Sequence, residues 1–159
     1  MELVPFHRRC PDVAAKETRS ISVFKRGELP IGQYGFVELY CDDPQCDCRR
    51  VIISVISPQM GTAPLATINY GWESAEFYAA WLGSWQNVGA CKGPSLDPLN
   101  PQTEYADALL ALFETALVDE HYRRRFERHY ALFKSTLPRK PRLGTRPRRR
   151  DRRARRPRK

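Results

Sequence analysis

Three cysteines stand close together in the chain: Cys41, Cys46 and Cys48, with the spacing C-x4-C-x-C. They lie in a polar stretch between two runs rich in β-branched and aromatic residues, 35–40 and 51–56, which predict the strands of a hairpin. Asp and Pro residues between these runs are typical of a turn. Such a loop folds back on itself and can bring three sulfurs together. Since thiolates are good ligands for Zn²⁺, the spacing predicts a metal site at the hairpin tip.

A tetrahedral zinc site needs a fourth ligand from elsewhere. Cys91 is the first candidate, because it lies in a long segment rich in Gly and Pro, 84–102, that could reach the hairpin. Cys10 and His7 are the alternatives, followed by an aspartate of the loop or a water molecule. A site with four protein ligands is structural, whereas three ligands and a water molecule can support catalysis. We favour a structural zinc ion.

Two other interpretations of the cysteines stay open. Arg49 and Arg50 directly follow Cys48 and could favour the thiolate form, which would suit thiol redox chemistry. The thiols could also simply be packed, because free cysteine is among the most buried residue types. An enzyme with an open zinc or thiolate site at the hairpin tip is therefore the alternative to a structural zinc site.

Charge is divided unequally along the chain. The formal net charge is +9, but residues 138–159 contain 13 Lys and Arg and one acidic residue, Asp151. Residues 1–137 then hold 14 basic and 17 acidic residues, a net charge of −3. A segment so rich in like charges, with Leu143 as its one large apolar residue, predicts a disordered tail over 138–159.

The arginines of this tail predict contacts with phosphate. Arg binds phosphate oxygens in a bidentate manner, and many such contacts release counterions from RNA or DNA. No aromatic residue is interleaved, so nothing indicates base recognition. We expect non-specific binding of nucleic acid, unless the tail is only a solubilising extension. The arginines assigned to this contact are Arg146, Arg148, Arg149, Arg150, Arg152, Arg153, Arg155 and Arg156.

The rest of the sequence predicts one α+β domain over residues 1–137. Residues 1–19 mix charges and prolines without a clear period and predict an irregular arm. Short alternating patterns predict strands at 20–25 and 65–70, which together with the hairpin form a small antiparallel sheet. Apolar residues at helical spacing predict a short helix at 73–82 that Gly83 ends. They also predict a C-terminal helical pair, at 103–118 and from the N-cap Asp119 to Pro138.

Other features disfavour several classes of function. The N-terminus has no secretory h-region, and no window approaches the roughly 18 apolar residues of a membrane span. We therefore expect a cytoplasmic protein without membrane contact, in which five cysteines favour metal or free thiols over disulfides.

The P-loop, dinucleotide, nucleophile-elbow and zinc-protease motifs are absent from the sequence, which favours a binding role over an enzyme. A protein-interaction module is a further alternative, and it predicts a large exposed apolar patch on 105–137.

Four runs of the sequence carry a resemblance: ELYCDDPQCDCRRV, ATINYGWESAEFYAAW, LDPLNPQTEYADALLALF and FERHYALFK. Together they resemble an uncharacterised bacterial protein family with a C-D-D-P-x-C-D-C-R-R hairpin, some members of which carry a C-terminal SEC-C-type metal-binding segment. The similarity covers about 34–134. It implies a small intracellular protein with a cysteine-bearing hairpin and no established reaction. The tail of this chain has no cysteine, so a SEC-C role cannot be carried over.

Overall fold

Residues 2–138 are described by the structure, a computed structural model, and they form the predicted α+β fold. Its strands are β1 (Leu3–Pro5), β2 (Arg19–Val23), β3 (Gly32–Cys41), β4 (Arg50–Ile56), β5 (Ala66–Gly71) and β6 (Gly93–Leu96). Its helices are α1 (Phe6–Arg9), α2 (Pro11–Glu17), α3 (Ala75–Leu82), α4 (Ala106–Ala116) and α5 (Glu120–Ser135), with a 3₁₀ helix at Val88–Ala90. The tail predicted over 138–159 lies outside the described residues from 139 onward.

Strand β3 is the centre of the antiparallel sheet. One edge of β3 pairs with β4, as the predicted hairpin requires, and β5 and β6 follow in that order. The other edge of β3 pairs with β2 along its first half and with β1 along its last three residues. The two short strands therefore lie end to end beside the longest strand.

The hydrophobic core lies on one face of this sheet, beneath α4 and α5. Alternate residues of β3 point into it, as the period of a strand dictates. The Phe36 and Phe113 rings stack with centroids 5.9 Å apart, and the centroids of Tyr40 and Phe133 are 5.5 Å apart. The side chains of the intervening residues lie on the opposite face of the sheet. In β4, Arg50 lies on this face.

Two predicted helix ends are confirmed, at Gly83 and at Asp119, whereas the Ser74 cap of α3 was not predicted, because the sequence pattern placed the start of this helix at residue 73. The Ser74 side chain caps α3 by accepting the Phe77 N–H at 3.2 Å, and Gly83 ends this helix with φ 68°. Asp119 caps α5 by accepting the His121 N–H at 2.9 Å. Within the described residues, each helix is too short or too polar to cross a membrane.

The prediction of an irregular arm over residues 1–19 is wrong. This segment forms β1, α1 and α2, and Phe6 and Ala14 bury their side chains in the core. The prolines that suggested irregularity are accommodated: Pro5 ends a strand, and Pro11 occupies the first turn of a helix, where a missing N–H costs nothing. A strand of three residues and helices of one or two turns are too short to show a period. For the same reason β6 and the 3₁₀ helix were not predicted within 84–102.

Candidate metal centre

The three cysteines of the hairpin converge. One Sγ atom from each of Cys41, Cys46 and Cys48 lies within 4.8 Å of the others. Cys41 ends β3 and Cys48 stands just before β4; both are buried, whereas Cys46 is half-buried. Zn–S bonds of about 2.3 Å in a tetrahedron place sulfurs about 3.8 Å apart, so this arrangement fits a thiolate-bound metal ion. The cluster can hold a metal ion.

Aspartates give the loop its shape. The Asp43 side chain accepts the Gln45 N–H at 2.9 Å, and its carbonyl accepts the Cys46 N–H at 3.2 Å. Asp42 ties the loop to the N-terminal segment, since its Oδ1 accepts the Glu2 N–H at 2.8 Å and its own N–H donates to the Glu2 carbonyl at 3.0 Å. These are the local hydrogen bonds for which Asp favours turns. The segment between Cys41 and Cys46 is therefore held before any ion binds.

Helix α5 braces the same loop from the side. Lys134 Nζ donates to the Asp43 carbonyl at 2.7 Å, and the Tyr130 hydroxyl donates to the Cys46 carbonyl at 3.3 Å. Both side chains therefore meet the backbone that carries the central cysteine. The position of the loop depends on the docking of α5 against the sheet.

Arg49 fixes the exit of the loop. Its φ is 43°, in the left-handed region that costs a residue with a Cβ some free energy. Its guanidinium lies 3.0 Å from carboxylate oxygens of Asp47 and Glu73, and its carbonyl accepts the Tyr78 hydroxyl at 2.7 Å. These contacts stabilise the turn that carries the chain from Cys48 into β4.

Burial raises the pKa of all three clustered thiols, and Lys134 opposes that effect only in part. The guanidinium charges of Arg49 and Arg50 are not among the groups that lower the pKa of these thiols, and Arg49 is paired with two carboxylates; the Arg50 backbone N–H does lower the pKa of Cys48 by a hydrogen bond. Without a metal ion the thiols are therefore protonated near neutral pH, which disfavours thiolate redox chemistry. A metal ion must displace those protons to bind.

The candidate fourth ligands lie elsewhere. Within residues 2–138 the converging group holds three ligand residues and does not include Cys91, Cys10 or His7. The Cys91 thiol lies 3.7 Å from Arg50 Nη1. Cys10 is packed in the main core, and His7 is exposed on α1. The structure thus brings together the three local cysteines and leaves the fourth ligand a prediction.

A second group of ionisable residues was not predicted. His129 is buried, as its place on the apolar stripe of α5 indicates, but both of its ring nitrogens meet carboxylates. Nδ1 lies 2.7 Å from Glu38 Oε2, and Nε2 lies 3.2 Å from Glu17 Oε2. Tyr40 donates its hydroxyl to Glu38 at 2.8 Å. Glu38 is the sequence signal that could have revealed this group, because the alternation of β3 places this charged residue among aromatic residues that face the core.

This network has the geometry of a structural tie. Phe6 stacks on the His129 ring with centroids 4.3 Å apart, and only 1% of His129 is exposed. No room is left for a substrate beside the imidazole. The network joins β3, α2 and α5, which are far apart in the sequence.

Comparisons with known proteins give no relative: no family model, no curated protein and no solved structure matches the chain. The resemblance to the bacterial family with the C-D-D-P-x-C-D-C-R-R hairpin therefore stays a prediction. The chemistry of the site rests on its own residues.

Proposed function

We propose that this protein is a small binding module whose hairpin tip is stabilised by a structural zinc ion. The observation that carries the proposal is the convergence of the Cys41, Cys46 and Cys48 sulfurs within 4.8 Å, in a loop held by helices on two sides. Thiolates are soft ligands, which favour Zn²⁺ over Mg²⁺ or Ca²⁺. A bound ion would supply coordinate bonds that link the ends of β3 and β4.

The second candidate is an open zinc site. One observation favours it: the described residues supply three converging ligands, so one tetrahedral position has no protein ligand among them. Cys46 is half-buried, which gives that position a route to solvent. We rank this candidate second because the loop carboxylates of Asp42, Asp43 and Asp47 are all engaged in hydrogen bonds.

The partner in our proposal is RNA or DNA, bound through the tail arginines. What supports it is the sequence alone: a charge of +12 beside a domain of −3. The competing interaction module receives less support. Within 105–137, the large apolar side chains that are exposed are Val118 and Leu132, which are single residues far apart in the sequence. Scattered exposed apolar residues are ordinary for a protein surface.

The test of the metal site is elemental analysis of the full chain, purified without a His-tag. We expect about one zinc ion per chain and its loss in Cys46→Ser, together with a fall in Tm. Cys10→Ala removes a thiol that is packed in the core, and we expect it to keep the zinc; loss of zinc from this variant would make Cys10 the fourth ligand. Zinc lost from Cys46→Ser at unchanged Tm would favour the open site, and a metal-free wild type would contradict both candidates.

The fourth ligand needs a separate variant. If Cys91 completes the site, Cys91→Ser loses zinc as Cys46→Ser does. If it does not, zinc is retained, and the fourth position belongs to water or to another residue.

A further inference from the structure

A cleft opens on the face of the sheet that is turned away from α4 and α5. Its volume is about 400 Å³, within the range of small-ligand sites. Strands β4 and β5 contribute Arg50, Ile52 and Asn69, and the segment after α3 contributes Cys91 and Leu99, with Leu3 from β1 completing the wall. None of the three clustered cysteines lines this cleft, so it is separate from the metal centre.

Arg50 is the cationic residue that lines the cleft, and no carboxylate is paired with it in the described part of the chain. No carboxylate oxygen of residues 2–138 lies within 4.0 Å of its guanidinium, whereas the neighbouring Arg49 has two carboxylate partners. The contacts of Arg50 in this range are long: Nη1 lies 3.5 Å from Asn69 Oδ1 and 3.7 Å from Cys91 Sγ. The guanidinium also lies over the Trp81 ring, 5.3 Å from its centroid. A half-buried guanidinium with five N–H donors and no anion favours an anionic ligand.

Asn69 holds this guanidinium in place. Only 3% of Asn69 is exposed, and its Nδ2 donates to the Ala90 carbonyl at 2.8 Å. That bond turns the amide oxygen towards Arg50. Beside Asn69, on the opposite position of β6, the Ser95 hydroxyl is buried and has no hydrogen-bond partner in the described part of the chain. The Asn69 amide that lines the cleft is therefore oriented before a ligand binds.

Asp97 also lines the cleft, but its carboxylate is used within its own loop. Oδ1 accepts the Leu99 N–H at 2.9 Å, and Oδ2 accepts from Asn100 Nδ2 at 2.7 Å. These neutral donors hold both oxygens within the loop, so Arg50 is the lining residue that offers charged donors to an anion.

Apolar side chains surround this polar group. Ile52 forms the base, while Leu3 is 38% exposed and Leu99 is 89% exposed at the rim. A ligand with a hydrocarbon body would cover both leucines and remove apolar surface from water. We propose that the cleft binds a small monocarboxylate with an apolar body, its carboxylate on the Arg50 guanidinium and its hydrocarbon against Ile52 and the two leucines. This site does not depend on the proposed zinc ion.

The experiment is an NMR titration of the isotope-labelled full chain with hexanoate, and with hexanamide as the neutral ligand of the same shape. Salt at about 150 mM shortens the range of charge attraction to about 8 Å and limits binding to the basic tail. We expect saturable shifts of the Asn69 side-chain amide and the Leu99 N–H with hexanoate only. Arg50→Gln should weaken binding at least about tenfold, since a charge-assisted hydrogen bond is lost. Arg124→Gln, the same change on an exposed part of α5, should leave it unchanged.

Two features keep the test decisive if Arg50→Gln does not fold. The comparison of hexanoate with hexanamide needs no variant, and Leu99→Ala changes an exposed side chain that the fold does not need. We expect Leu99→Ala to weaken hexanoate binding a few-fold. Equal shifts with both ligands, equal affinity in a folded Arg50→Gln, or shifts confined to residues 139–159 would each overturn the proposal.

Discussion

His129 lies between two carboxylates, and that placement defines its chemistry. Both ring nitrogens can donate only if the imidazole carries two hydrogens, because Glu17 and the buried Glu38 both offer acceptor oxygens. The imidazole is only 1% exposed, and Glu38 is buried with it. Removing one partner of a buried pair leaves an uncompensated charge, whereas replacing both can be nearly neutral.

This asymmetry gives the first prediction. His129→Leu should lower the free energy of unfolding by about 3–5 kcal/mol, because Glu38 keeps its buried charge without the imidazole. The double variant Glu38→Leu/His129→Leu should recover most of that loss, since Tyr40 can still donate to the Phe126 carbonyl, 3.3 Å away. Urea denaturation of the two variants measures both values. A double variant less stable than His129→Leu would show that the pair is not coupled in this way.

Glu17 gives a prediction about pH. Its carboxylate accepts hydrogen bonds from Arg128 and His129, and these two partners, Arg128 the more strongly, lower its pKa to about 2 from 4.5. A lowered pKa in the folded state adds stability above pH 4.5, which is lost as the pH falls towards 2. The difference in Tm between the wild type and Glu17→Gln should therefore be largest above pH 5 and shrink below pH 4.5. A difference in Tm that stays constant from pH 6 to pH 3 would contradict this assignment. 

At the scale of elements, α3 packs against the end of β5 at Gly71. A Cβ at this position would overlap the Cys91 carbonyl oxygen and the Tyr78 hydroxyl. That same hydroxyl, whose pKa burial raises to about 12, donates to the Arg49 carbonyl at the exit of the cysteine loop. The lack of a side chain at one strand residue therefore allows α3 to brace the loop.

Gly71→Ala tests this link. We expect it to lower the free energy of unfolding by about 1–3 kcal/mol or more, because backbone atoms must move to admit the methyl group. If zinc binds as proposed, the variant should also retain less zinc, since Tyr78 is displaced from Arg49. Gly89→Ala is the control, because nothing lies within 4 Å of the Cβ it would gain. Equal stability of the two variants would argue against the close approach.

The elements that the sequence predicts well are those with a long enough pattern. Strands β3 and β4 and helices α4 and α5 each repeat their period several times, so the hairpin and the helical pair could be derived from side-chain spacing. The N-terminal elements could not, because α1 has four residues and β1 has three. Their stability comes from pairing with β3 and from Phe6 in the core, both of which depend on the fold.

The same limit applies to the site. The convergence of Cys41, Cys46 and Cys48 is local, so the loop that carries them predicts it. The contacts of His129 with Glu38 and Glu17 span 91 and 112 residues, and no local pattern encodes them. The cleft around Arg50 could not be predicted either, because its residues come from β1, β4, β5 and the segment after α3.

At the scale of the whole molecule, the positive charge is concentrated at the C-terminal end of the sequence. Residues 1–137 carry a net charge of −3, and all of the positive excess lies beyond them. Attraction to a polyanion would therefore act through the tail sequence, while the domain weakly repels the same partner. Binding of this kind depends strongly on salt.

The tail arginines can be tested in the full chain. A variant with eight tail arginines changed to Gln should weaken binding to a random-sequence RNA. The slope of log K against log salt concentration should become shallower by several units, at about 0.7 per lost phosphate contact. The eight positions are Arg146, Arg148, Arg149, Arg150, Arg152, Arg153, Arg155 and Arg156. The same eight positions changed to Lys keep the charge and should keep most of the binding. Fluorescence anisotropy across a salt series measures both slopes, and an unchanged slope in the Gln variant would contradict a role for the tail.

The two edges of the sheet have a consequence for self-association. One edge consists of β1 and β2, which are short and divided from each other, and the other is β6, four residues long with Pro94 in it. Pro94 has no N–H to donate, and a short or interrupted strand offers a second chain little to pair with. Within residues 2–138 the sheet therefore presents no long open edge that could template intermolecular β-structure, and this protects its long, apolar inner strands from aggregation.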